Sequence, residues 1–294
     1  MDEALDRLFA SQGGVAHTGQ LRAVVGRARF ESGVASGLFV PVWTGVYARG
    51  EIDNHLRLAG LDLRAGEPVA ICLGTAAAAY GFDTEDNRDL HVLTPRGHQL
   101  RSSDGLVVHR REGAPLATVD GRPATAPAWT AIEVARSLRR PRALATLDAA
   151  LRSSTCGRAD LLRAAKLQAG RRRIVRVRKL LELASPLAES AMESESRLVM
   201  HDRGLPAPVL QYEVVDLHGN LWRLDFAWPE QKVAVEYDGF AWHSNPEAFR
   251  RDRRKRAALE EMKWTLLSVV DVDVRRTPDV MVHRIAAALA AAAA

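Results

Sequence analysis

Four carboxylates and a histidine, Glu193, Asp225, Glu236, Asp238 and His243, stand in an order that suits hydrolysis of a phosphodiester. That reaction needs one or two Mg²⁺ ions, hard cations held by one or two carboxylates while several waters stay bound. Mn²⁺ accepts the same oxygen ligands. A metal held this way polarises the phosphoryl oxygen and lowers the pKa of a bound water, and a second can stabilise the leaving oxygen. Asp225 and Glu236 are the expected pair of metal ligands, with Glu193 as a third carboxylate and Asp238 in support of water activation. Taken singly, each acid reads equally well as a surface or salt-bridged residue, Glu236 with Arg254 for instance. It is the set that favours metal chemistry.

These side chains need a scaffold, and the surrounding pattern supplies one. The spacing predicts a helix over 186–203, started by Ser185-Pro186, because serine caps well and proline suits a first turn. Glu189, Glu193 and Arg197 would share a face of it at spacing four. Three strands follow over 211–215, 221–227 and 232–238, with Gly219-Asn220 turning the first into the second and Pro229 breaking the second from the third. Period two faces Asp225 away from both Leu224 and Phe226, and groups Lys232, Ala234, Glu236 and Asp238. A helix over 246–262, a strand over 264–270 and a last helix over 277–294 complete the order of the restriction-endonuclease-like core.

Asp225-Phe226-Ala227-Trp228-Pro229, Val235-Glu236-Tyr237-Asp238-Gly239 and Trp242-His243 resemble the very-short-patch-repair (Vsr) endonucleases, and still more the Vsr-like domains of bacterial proteins, over about 186–285. The resemblance implies that Asp225 binds Mg²⁺ and that His243 assists water activation. Asp252 and Arg253 fit the helix that follows in such domains, and Arg254 on that helix is a candidate DNA contact. Two departures stand out. The lysine that many restriction-type nucleases carry two residues after the second acid is here Asp238, so Lys232, Lys255 or His243 must substitute. The repair enzymes' structural zinc ligands are missing, since no cysteine lies beyond Cys156. Trp228, Phe240 and Trp242 remain candidates either for stacking on an unpaired base or for core.

At the other end, short helices over 3–11, from Thr18 to Gly26, and over 27–36, then a hairpin around Thr44-Gly45, give winged helix-turn-helix order. In that geometry the third helix enters the major groove, so Arg27, Arg29 and Ser32 would reach bases or phosphates, and Thr44, Tyr47 and Arg49 would lie on or beside the wing. A plain protein-interaction module is the alternative. Gly13-Gly14-Val15 and the run from Gly37 to Ala48 resemble the N-terminal domain of AbiEi-type antitoxins, and residues 51–150 resemble the region that follows it. That resemblance implies a toxin partner of the nucleotidyltransferase type. Helices are expected over 70–80, 125–138 and 141–151, and strands over 90–93 and 106–109. His91, His98 and His109 have no metal-ligand spacing.

The 294 residues carry a formal charge of +5, and it is concentrated. Residues 151–180 hold 10 basic and 1 acidic side chains, whereas 181–294 hold 14 and 18. The densest run, Arg171, Arg172, Arg173, Arg176, Arg178 and Lys179, is expected to lie in a basic helix that grips phosphates, or else to be a solvated helix face. With 47% hydrophobic residues the chain is neither disordered nor collagen-like. It has no long apolar run and no signal-peptide order, which predicts a soluble cytoplasmic protein without a membrane partner. Two cysteines exclude a disulfide scaffold.

The expected fold is α/β (α+β): a winged helix over 1–50, an AbiEi-like α/β region over 51–150, a basic helical connector over 151–185 and a Vsr-like nuclease domain over 186–294. The expected function is a Mg²⁺-dependent (or Mn²⁺-dependent) DNA endonuclease acting in repair or in defence against foreign DNA. RNA stays open as a substrate, because metal-bound carboxylates do not choose the sugar. The competing expectation is an antitoxin-like transcriptional regulator whose nuclease fold is only a scaffold.

Overall fold

The computed structural model describes residues 2–82, 85, 88–95, 97, 100–110, 113–239 and 246–293. It is 49% helical and 19% strand, with several small sheets, which is the α+β class expected. Compactness divides the chain into Met1–Ala79 with Glu85–Thr130, and Tyr80–Thr84 with Ala131–Ala294. The four-part division by motif therefore differs from the division by packing: the helices of the basic connector share a compact unit with the C-terminal sheet.

The first unit begins with α1 (Asp2–Ser11), β1 (Val15–His17), α2 (Thr18–Val25), α3 (Arg27–Ala35), β2 (Val40–Trp43) and β3 (Val46–Ala48). The strands lie in the order β1-β3-β2. Leu5, Phe9, Leu21, Phe30 and Phe39 close the core between helices and sheet. Gly33 is required there, since a Cβ would stand 2.5 Å from the Phe39 ring. The N-cap of α2 is His17 and not Thr18, which is already helical. Then come α4 (Asn54–Ala65), α5 (Leu73–Ala79), the parallel pair β4 (Leu90–Leu93) and β5 (Leu106–His109), and the hairpin β6 (Leu116–Val119) with β7 (Arg122–Thr125). Asp53 caps α4 by accepting from the Leu56 N–H at 2.8 Å. The helix expected over 70–80 is shorter, and β1, α4, β6 and β7 are additions to the expected elements.

The second unit takes in most of α6 (Pro127–Ser137), then α7 (Arg140–Arg152), α8 (Arg158–Leu167), α9 (Ile174–Leu183), α10 (Ala191–Asp202), β8 (Val209–Val215), β9 (Leu221–Trp228), β10 (Val233–Tyr237), α11 (Pro246–Glu261), β11 (Thr265–Val269), α12 (Asp271–Arg275) and α13 (Pro278–Ala293). The sheet order is β11-β10-β9-β8, antiparallel except for β10 with β11. A parallel pair needs a crossover, and α11 provides it. One face buries Phe226, Trp228, Val233 and Val235 against Met200 of α10 and Met281 and Ile285 of α13. The other buries Leu224, Ala227 and Ala234 against Leu259 of α11.

Two expectations are corrected here. The basic segment is not one helix: it breaks between α8 and α9, where Gly170 and Arg173 have φ of 80° and 66°. Ser185-Pro186 does not start α10. Its cap is Ser190, whose Oγ accepts from the Glu193 N–H at 3.1 Å, so Glu189 lies outside the helix. Among the described residues no helix is long and apolar enough to cross a membrane.

Candidate functional site

The site is built where the C-terminal sheet stops being regular. Leu210 of β8 and Phe226 of β9 pack on the α10–α13 face, whereas Tyr212 and Leu224, one pair further along, pack on the α11 face. Both strands thus change faces at one level, that of Gln211 and Asp225. Gln211 takes up the change with φ of 50°, a conformation that costs a non-glycine residue about 1 kcal/mol. The β9–β10 ladder also ends here, at Val235↔Phe226. In place of a further backbone partner, the Tyr237 N–H donates to Asp225 Oδ2 at 3.0 Å. The expectation that alternation faces Asp225 away from both Leu224 and Phe226 does not hold, because those two neighbours pack on opposite faces of the sheet.

Gln211 joins two acids. Its Nε2 donates to Glu193 Oε2 at 3.0 Å and to Asp225 Oδ1 at 3.4 Å. Glu193, 7% exposed, is held in turn by the start of α10, where its Oε2 accepts from the Glu189 N–H at 2.9 Å. Ser190 and Glu193 have Ser-x-x-Glu spacing, but the Glu193 carboxylate reaches one residue past the cap, to the Glu189 N–H, which aims it back along the chain. Glu236, the next acid, is ion-paired with Lys255 of α11, whose Nζ also donates to the Arg223 carbonyl at 2.6 Å. The pair expected for Glu236 was Arg254; Lys255 takes that place because Arg254 is exposed on α11. Of the two candidate substitutes for the missing strand lysine among the described residues, Lys255 reaches an acid of this group, whereas Lys232 donates to the Met262 carbonyl.

The three carboxyls have a common electrostatic signature. Burial pushes Glu193 up from the ordinary carboxylate range and the Asp225 charge pushes it further, against its hydrogen bonds from Glu189 and Ser190. Burial raises Asp225 against the Tyr237 N–H and the Lys255 charge. Burial raises Glu236 as well, opposed by Lys255 and assisted by Asp225 and Asp252. Desolvated acids close to one another make a place where a cation is welcome.

The expected set of three metal ligands does not converge. Among the described residues, no three His, Cys, Asp or Glu side chains come together as a metal cage. Glu193 and Asp225 share the Gln211 amide, but Glu236 is turned to an ammonium group. Two carboxylates on one amide donor fit a hard cation that keeps several waters. Asp238 is exposed past the end of β10; its N–H donates to the Val269 carbonyl, and its carboxylate has no partner among the described residues. His243 lies outside the described residues, as do His98, Phe240 and Trp242. Trp228 is buried in the core. Gln211 was not among the expected site residues; the signal for it is an amide interrupting the apolar run of β8.

The arginines expected to meet DNA divide sharply. Arg27 pairs with Glu31 at 2.8 Å on exposed α3, where Arg29 and Ser32 are exposed too. Arg49 pairs with Asp6 and stacks over the Phe9 ring at 4.6 Å, which fixes it to α1 and away from a wing contact. In the basic run, Arg171 pairs with buried Glu133, Arg173 and Arg176 donate to the carbonyls of Ser137 and Leu138 at the end of α6, and Arg178 donates to the Ala165 carbonyl of α8. Arg172 is exposed, and its carbonyl accepts from Arg136 Nε at 2.9 Å. Helix C-termini leave carbonyls without intrahelical partners and carry partial negative charge, so guanidiniums satisfy them doubly. Most of this run is thus taken up in joining helices.

Other titratable groups stand apart from the site. His91 Nδ1 and His109 Nε2 are 2.9 Å apart across β4 and β5. Both cysteines are buried, and burial pushes the Cys156 thiol up to about 11.

Residues 69–183 match the AbiEi antitoxin C-terminal domain. Two relatives are the uncharacterized protein MT2308 of Mycobacterium tuberculosis (strain CDC 1551 / Oshkosh) and the uncharacterized protein Rv2248 of Mycobacterium tuberculosis (strain ATCC 25618 / H37Rv). Each is 53% identical over 260 residues, which cover 88% of this chain and 96% of the relative. An identity so high over nearly the full length of both places the chain in the same family as these mycobacterial proteins, and the match to the AbiEi antitoxin C-terminal domain covers its middle.

Proposed function

We propose that the protein is an antitoxin-like DNA-binding regulator. The observation that carries this reading is the AbiEi antitoxin C-terminal domain over 69–183, preceded by three short helices and a hairpin in winged-helix order. The partner it implies is a toxin of the nucleotidyltransferase type. In this reading α3 lies in the major groove, with Arg29 and Ser32 on its exposed side. Anisotropy titrations of a duplex taken from upstream of the protein's own gene, against a shuffled duplex at physiological salt, test it. Preference for the native duplex that is lost in Arg29→Ala supports the reading; equal affinity for both duplexes removes it.

The cluster at Gln211 favours a second activity, a Vsr-like endonuclease dependent on Mg²⁺ or Mn²⁺. Glu193 and Asp225 would hold the metal, which when bound supplies charge neutralisation at the phosphodiester and a more acidic water. Gln211 orients both carboxylates with one amide. Lys255 holds Glu236 on the α11 face and brings a cation close to where negative charge develops. The substrate is DNA, with RNA as a parallel arm of the test. Plasmid, single-stranded and mismatched DNA are incubated with the protein and either metal. Metal-dependent cleavage abolished by Asp225→Ala supports the reading, and cleavage unchanged in that variant refutes it.

A further inference from the structure

Residues 250–256 read Arg-Arg-Asp-Arg-Arg-Lys-Arg, six basic side chains and one acidic on the helix that carries Lys255. Their fates differ within about two turns. Lys255 points inward to Glu236, and Arg256 binds Asp252 at 3.0 Å and Ser268 Oγ at 2.7 Å. Arg250, Arg251 and Arg254 are exposed and have no partner among the described residues. Like charges at spacings of three and four repel along a helix, and here the intervening acid is committed to Arg256. Three of the six basic side chains thus stand exposed without a partner among the described residues.

We propose that this outward face of α11 is a phosphate-binding surface that seats duplex DNA beside the Glu193–Gln211–Asp225 cluster; its place as a substrate surface rests on the endonuclease reading. Arg250 and Arg254 stand one above the other about 6 Å apart along the axis, and Arg251 has the same relation to Lys255. A backbone lying on the three exposed arginines is therefore delivered within a helical turn of the residue that reaches Glu236. Guanidinium groups present planar paired donors that match phosphate oxygens, and three of them offer a contact whose strength falls steeply with salt. The exposed α11 face sets three such arginines close together, whereas in the run over 171–178 four of the five arginines are engaged and Arg172 alone is left exposed without a guanidinium partner among the described residues.

The test uses the full chain carrying Asp225→Asn, so that binding is read without cleavage. Anisotropy of a labelled duplex is followed from 50 to 300 mM salt. Replacing Arg250, Arg251 and Arg254 together by Gln is compared with Arg172→Gln, Lys166→Gln and Lys179→Gln, three exposed positions in the connector. The α11 set should weaken binding about 30-fold at 150 mM and reduce the slope of log affinity against log salt by between about 2 and 3, while the connector set changes affinity less than about 3-fold. Equal loss from both sets, an unchanged slope, or capture by anionic vesicles in preference to duplex overturns the proposal. Circular dichroism and a melting curve confirm that each set is folded. Cleavage by the unmutated chain is measured separately: its absence would remove the endonuclease reading, and the binding comparison would still decide whether α11 holds DNA.

Discussion

Two arginine-rich segments of similar composition behave in opposite ways. Between 171 and 178 four of the five guanidiniums bind the buried Glu133 carboxylate or the terminal carbonyls of α6 and α8, and Arg172 is exposed. Between 250 and 256 only Lys255 turns inward; Arg256 is exposed but bound to Asp252 and Ser268, and Arg250, Arg251 and Arg254 are exposed without a partner among the described residues. A run of positive charge therefore says little about nucleic acid until its neighbours are known. In the first segment the charge compensates helix ends; in the second it exceeds what the fold requires.

Substitutions in the two segments have different expected effects. The largest effect is expected at Lys255, where the inner and outer sides of α11 meet. Lys255→Met should lower metal-dependent cleavage about 100-fold or more by removing the cation beside Glu236, while duplex affinity in the same variant changes less than about 3-fold. Rate and anisotropy measured on one preparation separate the two. A comparable loss of affinity would merge the inner and outer roles.

Next in size, Arg171→Ala should reduce unfolding free energy by about 2 kcal/mol. That is below the 3–5 kcal/mol of a fully buried pair, because the Arg171 side chain is 31% exposed while that of Glu133 is 2% exposed. Urea denaturation gives the value. Stability unchanged by this variant would mean that the connector arginines are not structural after all.

Asp225→Asn should act the other way and raise stability on the order of 1 kcal/mol at pH 8. Asp225 is raised in the folded chain, so the native state holds that proton more tightly than the unfolded state, and stability falls as pH rises through the folded value. Below the unfolded carboxyl range, near pH ~3.9, both states are protonated and the gain should vanish. Melting curves at pH 8 and pH 3.5 measure the difference. A stabilisation independent of pH would trace to something other than the buried charge.

The smallest effect belongs to Arg254→Ala, which should leave stability within about 0.5 kcal/mol, as for other exposed positions without partners. A clear loss of stability there would show that α11 uses its outer arginines as the connector uses its own.

Much of the C-terminal scaffold is legible in the sequence. The strands expected over 211–215, 221–227 and 232–238 fall within β8, β9 and β10 to one or two residues, because apolar alternation is a local signal. The helix start is misplaced at Ser185-Pro186 because two serines satisfy the same rule, and only packing selects Ser190. The carboxylates of the candidate site are legible as residue types in order. Gln211 is not, since its role depends on a change of face shared by two strands. The break at Gly170–Arg173 is hidden by an otherwise helical composition.

By itself the sequence determined where apolar faces repeat, where turns fall and which side chains can carry charge, because these depend on neighbours a few positions away. Only the tertiary structure decided which charges are consumed. The carbonyls at the end of α6, the meeting of Glu193 with Asp225 through Gln211, and the reach of Lys255 to Glu236 all join residues distant in the chain. Electrostatic and hydrogen-bond partners are set by distance in space, and the same arginine is a structural clamp or an exposed cation according to what folding brings beside it.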